Sequence, residues 1–157
     1  MNIKKLEPVD NISKTIKDIF DVDLSISGGW GYDSSSATII ENLQDTQAEQ
    51  FLHMFASMRA NIQLNITLDK DEKYGGINLT FIEKKRVKID DKTYCVVTFK
   101  ITAMKEKLYA KFIQEYKDGY GKKEFDLADH FNQRKQSTIE DKVDYWFDDL
   151  KGVLDEK

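Results

Sequence analysis

The chain holds one proline, Pro8, one cysteine, Cys95, and two histidines, His53 and His130, among 157 residues. A single cysteine excludes an internal disulfide, and its place in an alternating apolar run makes Cys95 a small buried hydrophobe. With two histidines and no further Cys or His at ligand spacing, a structural zinc centre lacks a ligand set, so no metal and no cofactor are expected. No apolar run approaches the roughly 18 residues of a membrane span. The opening Met1-Asn2-Ile3-Lys4-Lys5-Leu6 runs at once into Glu7, Pro8 and Asp10 rather than into an apolar signal core. The chain therefore reads as cytosolic, with no membrane partner. A basic excess is also missing: 24 Lys and Arg stand against 28 Asp and Glu, for a formal charge of −4. Long-range attraction to nucleic acid is not expected of such a balance.

What is present suits one globular domain over residues 1–157, with 40% hydrophobic and 33% charged residues. Plentiful Lys, Ile and Asn beside a lone proline suggest an AT-rich bacterial genome.

One stretch stands out. Gly28-Gly29-Trp30-Gly31-Tyr32-Asp33-Ser34-Ser35-Ser36 lies between two β-prone runs, Leu24 to Ser27 and Ala37 to Glu41. Glycines at these positions allow φ > 0, and Trp30 and Tyr32 carry large amphipathic surfaces. Two readings follow. In one, the loop is a hairpin connection whose aromatics fold back over the sheet while Asp33 and the serines bond their own backbone. In the other it is a binding loop, with Gly29, Trp30, Gly31, Tyr32, Asp33 and Ser35 presented to a ligand or partner. The glycine spacing fits neither a P-loop nor a dinucleotide fingerprint. Asp33 to Ala37 misses the Asp-x-Ser-x-Ser metal pattern of integrin-type domains, because Ala37 stands where the last Ser is needed.

The rest is read from periodicity. Val9, Ile12, Ile16, Ile19 and Phe20 predict a helix opening at Pro8. Thr46-x-x-Glu49 followed by Ala48, Phe51, Leu52, Phe55, Met58 and Ile62 predicts a second, with His53 on its solvated side. From Ile62 to Asp69 the alternation of apolar and polar residues predicts a strand. Ile77 to Ile89 and Tyr94 to Thr102 predict a long antiparallel hairpin turning at Asp90-Asp91-Lys92. Its inward row is interrupted at Glu83 and Lys85, which implies a bulge or a strand running beyond the core. The basic run Glu83 to Lys88 reads as a charged strand face that discourages edge pairing rather than as a nucleic-acid stripe. Met104 to Lys117 predicts a third helix, and Asp126 caps a short fourth one carrying Leu127, Ala128 and Phe131, with His130 beside them.

Residues 138–150 fit both periods. Ile139, Val143, Trp146, Phe147, Leu150 and Leu154 make a helical stripe, while Ile139, Val143, Tyr145 and Phe147 suit a strand; the length of the stripe favours helix. Asp144, Tyr145, Trp146 and Asp148 make this segment a candidate acidic, aromatic docking surface for a basic partner.

These elements predict an α+β fold: an antiparallel sheet of about five strands, helices on one face and a helical C-terminal region. No nucleophile, base and orienter can be tied together, and His130 reads as a surface or satisfied packing histidine rather than a catalytic base. The function expected is a non-catalytic protein-binding module, like small immunity or antitoxin proteins in size and acidity only. The alternatives are a small-molecule binder or enzyme with a pocket at the Gly28–Ser36 loop, and a self-assembling structural or phage-derived protein.

Overall fold

The structure is a computed structural model that describes residues 3–43 and 45–148. Leu150 and Leu154 of the expected C-terminal stripe lie outside the described residues.

Helix α1 (Ile12–Phe20) starts where Asn11 can cap it, its side chain accepting from the Lys14 amide at 3.0 Å. The start is thus four residues later than Pro8 suggests, and residues 3–10 run as an extended N-terminal strap without helix or strand. Strands β1 (Ser25–Gly28) and β2 (Thr38–Asn42) pair antiparallel around the glycine loop, which contains one 3-10 turn over Ser34–Ser36. Helix α2 (Ala48–Asn61) follows. Its expected Thr46 cap is not formed: Gln47 stands at the N-cap without a side-chain bond, and Glu49 instead pairs with Lys84 at 3.0 Å.

The strand expected from Ile62 is absent. Residues Ile62–Ile66 continue α2 as a wider π turn, closed by the Thr67 amide and hydroxyl on the Ile62 carbonyl. No Gly or Pro separates Asn61 from Ile66. The helix is therefore not broken, and its far end buries Ile62, Gln63 and Leu64 together.

Strands β3 (Tyr74–Ile89) and β4 (Lys92–Lys105) form the long hairpin, with Asp90 and Asp91 both at positive φ in its turn. The irregularity expected near Glu83 lies between Phe81 and Glu83. It reverses the side-chain parity, so Phe81 stands opposite Phe99 on the core face while Val87 stands opposite Tyr94 on the other. After β4 come helix α3 (Glu106–Gly119) and helix α4 (Leu127–Ser137), the latter capped by Asp126 as its sequence implies.

Residues 139–148 are strand β5 (Ile139–Asp148), not helix. Ten consecutive residues pair with β4, from Ile139 opposite Ala103 to Asp148 opposite Tyr94. Strand β5 buries Tyr145 and Phe147 inward, whereas the helical alternative would have buried Trp146 with Phe147 in place of Tyr145.

The architecture is α+β with five strands in the order β1-β2-β5-β4-β3. Five was the expected number, with β5 taking the place of the segment after Asn61. The sheet is mixed rather than wholly antiparallel, since β2 and β5 run parallel. Helices α1 and α2 pack Ile12, Ile16, Phe51, Leu52 and Phe55 onto the face formed by Ile26, Ile40, Cys95, Val97, Phe99, Tyr145 and Phe147. Each fully buried large side chain contributes roughly 1.5–3 kcal/mol. A one-residue slip of β4 would turn its whole row outward, so this face sets the register. The charged run Glu83 to Lys88 lies on β3, an edge strand. No helix among the described residues is long and apolar enough to cross a membrane.

Candidate functional site

The glycine loop is used to close the sheet. The Gly31 carbonyl accepts from the Trp146 amide at 2.8 Å, extending the short β2–β5 ladder. Gly31 has φ +89°, and a Cβ there would stand 2.8 Å from the Trp146 carbonyl oxygen. Thr38 Oγ1 donates to the Gly29 carbonyl at 2.7 Å. Asp33 caps the 3-10 turn: one carboxylate oxygen accepts from Ser35 Oγ at 2.7 Å, the Ser36 amide at 3.0 Å and Ser36 Oγ at 3.1 Å. Those hydrogen bonds, the Ser35 and Ser36 hydroxyls first, hold the Asp33 carboxyl below its ordinary range. Asp33 and Ser35 are thus engaged with each other.

Trp30 does not face solvent. It is 3% exposed, stacks on Phe55 at 6.5 Å, and donates its indole N–H to the Glu7 carbonyl of the strap at 3.2 Å. Tyr32 is half-buried, and its hydroxyl accepts from the Leu6 amide at 2.7 Å. A third bond, from Gln63 Nε2 to the Lys4 carbonyl at 2.9 Å, anchors the strap to the end of α2. At about 1 kcal/mol net for each, these three bonds hold the strap only modestly.

The acidic, aromatic segment divides by strand parity. Asp144, Trp146 and Asp148 point to the face away from α1 and α2, where Trp146 meets Tyr94 edge-on at 5.8 Å. Both acids have partners in the sheet: Asp144 accepts from Thr98 Oγ1 at 2.6 Å, and Asp148 pairs with Lys92 at 3.3 Å. Tyr145 points the other way, into the core, where its hydroxyl donates to the Ala56 carbonyl at 3.2 Å.

Two nominated residues meet in space at one that the sequence reading did not nominate. Tyr32 from the loop and Tyr145 from β5 stand on either side of Arg59, whose guanidinium carbon lies 4.3 Å and 3.7 Å from the two ring centres. Arg59 is fully buried. Its Nη1 donates to the Trp30 carbonyl at 3.0 Å. Its Nε and Nη2 lack a well-formed hydrogen bond among the described residues; the Tyr145 hydroxyl favours the cation by its charge and by a weak side-chain hydrogen bond. Burial pulls the arginine pKa down and pushes both tyrosine hydroxyls up. A signal for Arg59 existed: it falls four residues after Phe55 and eight after Phe51, a charge on the apolar row of α2.

Two hollows lie against Trp30, and Tyr32 of the cage lines one of them. One of about 550 Å³ is lined by Lys4, Leu6, Val9, Trp30 and Ile62. The other, of about 530 Å³, is lined by Leu6, Trp30, Tyr32, Ser35 and Tyr94. Leu6, Val9 and Trp30 line both, so the strap and the tryptophan stand between them.

The histidines lie elsewhere. His53 is exposed, as expected, and its Nε2 lies 3.1 Å from the Leu79 carbonyl while its ring meets Phe99 edge-on at 5.5 Å. His130 is buried between α3 and α4 against Phe112, Tyr116 and Phe125, and Glu115 lies 3.8 Å away, while Phe131 of α4 is largely exposed. Among the described residues, no group of three metal-ligating side chains occurs.

No protein-family model matches the chain, and neither a curated protein nor a solved structure matches it.

Proposed function

We propose that the chain is a non-catalytic binding module for another protein, in a bacterial cytosolic setting, and that the partner engages the strapped depression around Trp30. The observation that carries this reading is the strap itself. Residues 3–10 cross a depression floored by a buried tryptophan and leave a hollow of about 550 Å³ and one of about 530 Å³ on either side. Exposed Val9 and Lys5 stand beside it. A concave, partly apolar surface with a few fixed polar groups suits recognition. Resemblance to immunity or antitoxin proteins remains one of size and acidity.

The test is stoichiometric capture of a partner from a lysate, comparing the natural chain with Lys5→Glu/Val9→Asp. Both positions are exposed, whereas substituting Trp30 would remove a core ring. One partner held by the natural chain and lost by the double variant supports the reading; equal capture by both moves the surface elsewhere on the fold. A second reading, a small-molecule site at the Gly28–Ser36 loop, is favoured by the position of the smaller hollow against Ser35 and Tyr32. It gains weight if no partner is captured.

A further inference from the structure

Arg59 presents an unusual pattern of satisfied and unsatisfied donors. The guanidinium offers five N–H groups in a planar fork, and its Nε–H and Nη2–H lie side by side on one edge. In this fold Nη1 is used by the Trp30 carbonyl, while the two atoms left without acceptors among the described residues are Nε and Nη2. That edge matches two coplanar carboxylate oxygens in a bidentate pair. The two ring faces on either side restrict access to the plane of the fork. A buried cation whose Nε and Nη2 have no well-formed hydrogen bond, only the nearby Tyr145 hydroxyl, is costly to maintain, and an oxyanion supplying both acceptors would relieve that cost.

Access is arranged in layers. Tyr145 is the inner plate, fully buried and tied to Ala56. Tyr32 is the outer plate, half-buried, and its hydroxyl is held by the Leu6 amide of the strap. Lys5 Nζ lies 5.6 Å from the Tyr32 ring centre and adds positive charge at the entrance.

We propose that the Nε–H and Nη2–H edge of Arg59 is a carboxylate-binding site, reached when the residue 3–10 strap and the Tyr32 plate lift. This rests on the binding reading above and names the chemistry of the ligand: a carboxylate, either free or at a chain terminus of the partner. A planar acceptor pair is preferred to a tetrahedral oxyanion because the two rings leave a slot rather than a bowl.

The test follows the Arg59 side-chain Nε–H and the Trp30 indole N–H by NMR during titration with sodium acetate, acetamide, inorganic phosphate, and triglycine as free acid and as amide. Acetate should shift both signals saturably while acetamide does not. Tyr32→Phe keeps the ring but frees the strap bond, and should lower the acetate half-saturation about fivefold, the factor for one neutral hydrogen bond. Arg59→Lys keeps a charge without the fork and should abolish the indole response to acetate. If that variant does not fold, the natural chain's own Nε–H titration still decides. Triglycine acid binding more tightly than acetate, with its amide silent, identifies a chain terminus as the ligand; equal binding identifies a free carboxylate. No saturable shift with acetate, an equal shift with acetamide, or tighter binding of phosphate would overturn the proposal. Silence towards carboxylates with partner capture intact overturns this inference alone and leaves the protein-binding reading standing.

Discussion

The Tyr145 ring centre lies 3.7 Å from the guanidinium carbon of Arg59, and no acidic side chain among the described residues shares that space. A buried arginine ordinarily meets a carboxylate; here two aromatic faces and one backbone carbonyl take its place. Cation–π contacts of this kind are worth about 2 kcal/mol when desolvated, against a desolvation penalty of several kcal/mol per ion. With two such contacts and the Trp30 carbonyl bond, worth about 1.5–3 kcal/mol, the terms roughly cancel, so the arginine adds little to stability and is read as functional.

If so, removing the charge should not weaken the fold. Arg59→Met fills a similar volume without a charge to desolvate, and its urea unfolding free energy is expected to fall by no more than about 1 kcal/mol or to rise by up to about 3 kcal/mol. A loss well beyond this range would make Arg59 a structural keystone.

Gly31 is held by geometry that no other residue satisfies. Gly31→Ala places a Cβ at 2.8 Å from the Trp146 carbonyl oxygen in a positive-φ position. The expected cost is on the order of 1–3 kcal/mol by thermal or urea unfolding. Gly121→Ala is the control: φ is +82° there too, but nothing lies within 4 Å, so only the backbone strain remains. Equal costs at the two sites would show that closure of the glycine loop on β5 is unimportant.

Alkaline pH should loosen the cage. Burial raises the hydroxyl pKa of both Tyr145 and Tyr32, with Arg59 pulling the other way. A folded pKa above the unfolded value of about 10 means that the stabilisation is complete below that value and is lost as pH rises through the folded pKa. Melting temperatures should therefore fall increasingly from about pH 10 upward. Tyr32→Phe should flatten that slope, whatever its effect at neutral pH. An unchanged slope in the variant would contradict the assignment.

The edge strand should depend on its charges. Lys85 and Lys88 are exposed on β3, which has no neighbour on one side. Lys85→Thr/Lys88→Thr is expected to promote strand-to-strand association, seen as concentration-dependent larger species in light scattering. A strictly monodisperse double variant would show that the bulge alone protects the edge.

The β3–β4 hairpin was legible because its rows, Cys95 to Ile101 and Ile77 to Phe81, alternate over many residues and a strong turn joins them. Strand β5 was not, since Ile139, Val143 and Phe147 satisfy both periods and only pairing with β4 decides between them. The strand expected after Asn61 failed for a related reason. A short alternation at the end of a helix is also what a π turn produces when Ile62 and Leu64 both reach the core. At the site, the loop and the β5 aromatics were nominated as separate surfaces. Their meeting depends on the parallel β2–β5 pairing, a long-range relation with no local signature. Arg59 was passed over because charge ordinarily marks the solvent side of a helix, although its spacing from Phe51 and Phe55 placed it on the buried side.

The most direct measurement is a crystal structure of the chain grown with sodium acetate and, in parallel, with acetamide. Planar density bridging Nε and Nη2 of Arg59 is expected in the acetate crystals alone, with the strap displaced from the Tyr32 hydroxyl. Identical structures, with the strap in place and nothing at the fork, would contradict it.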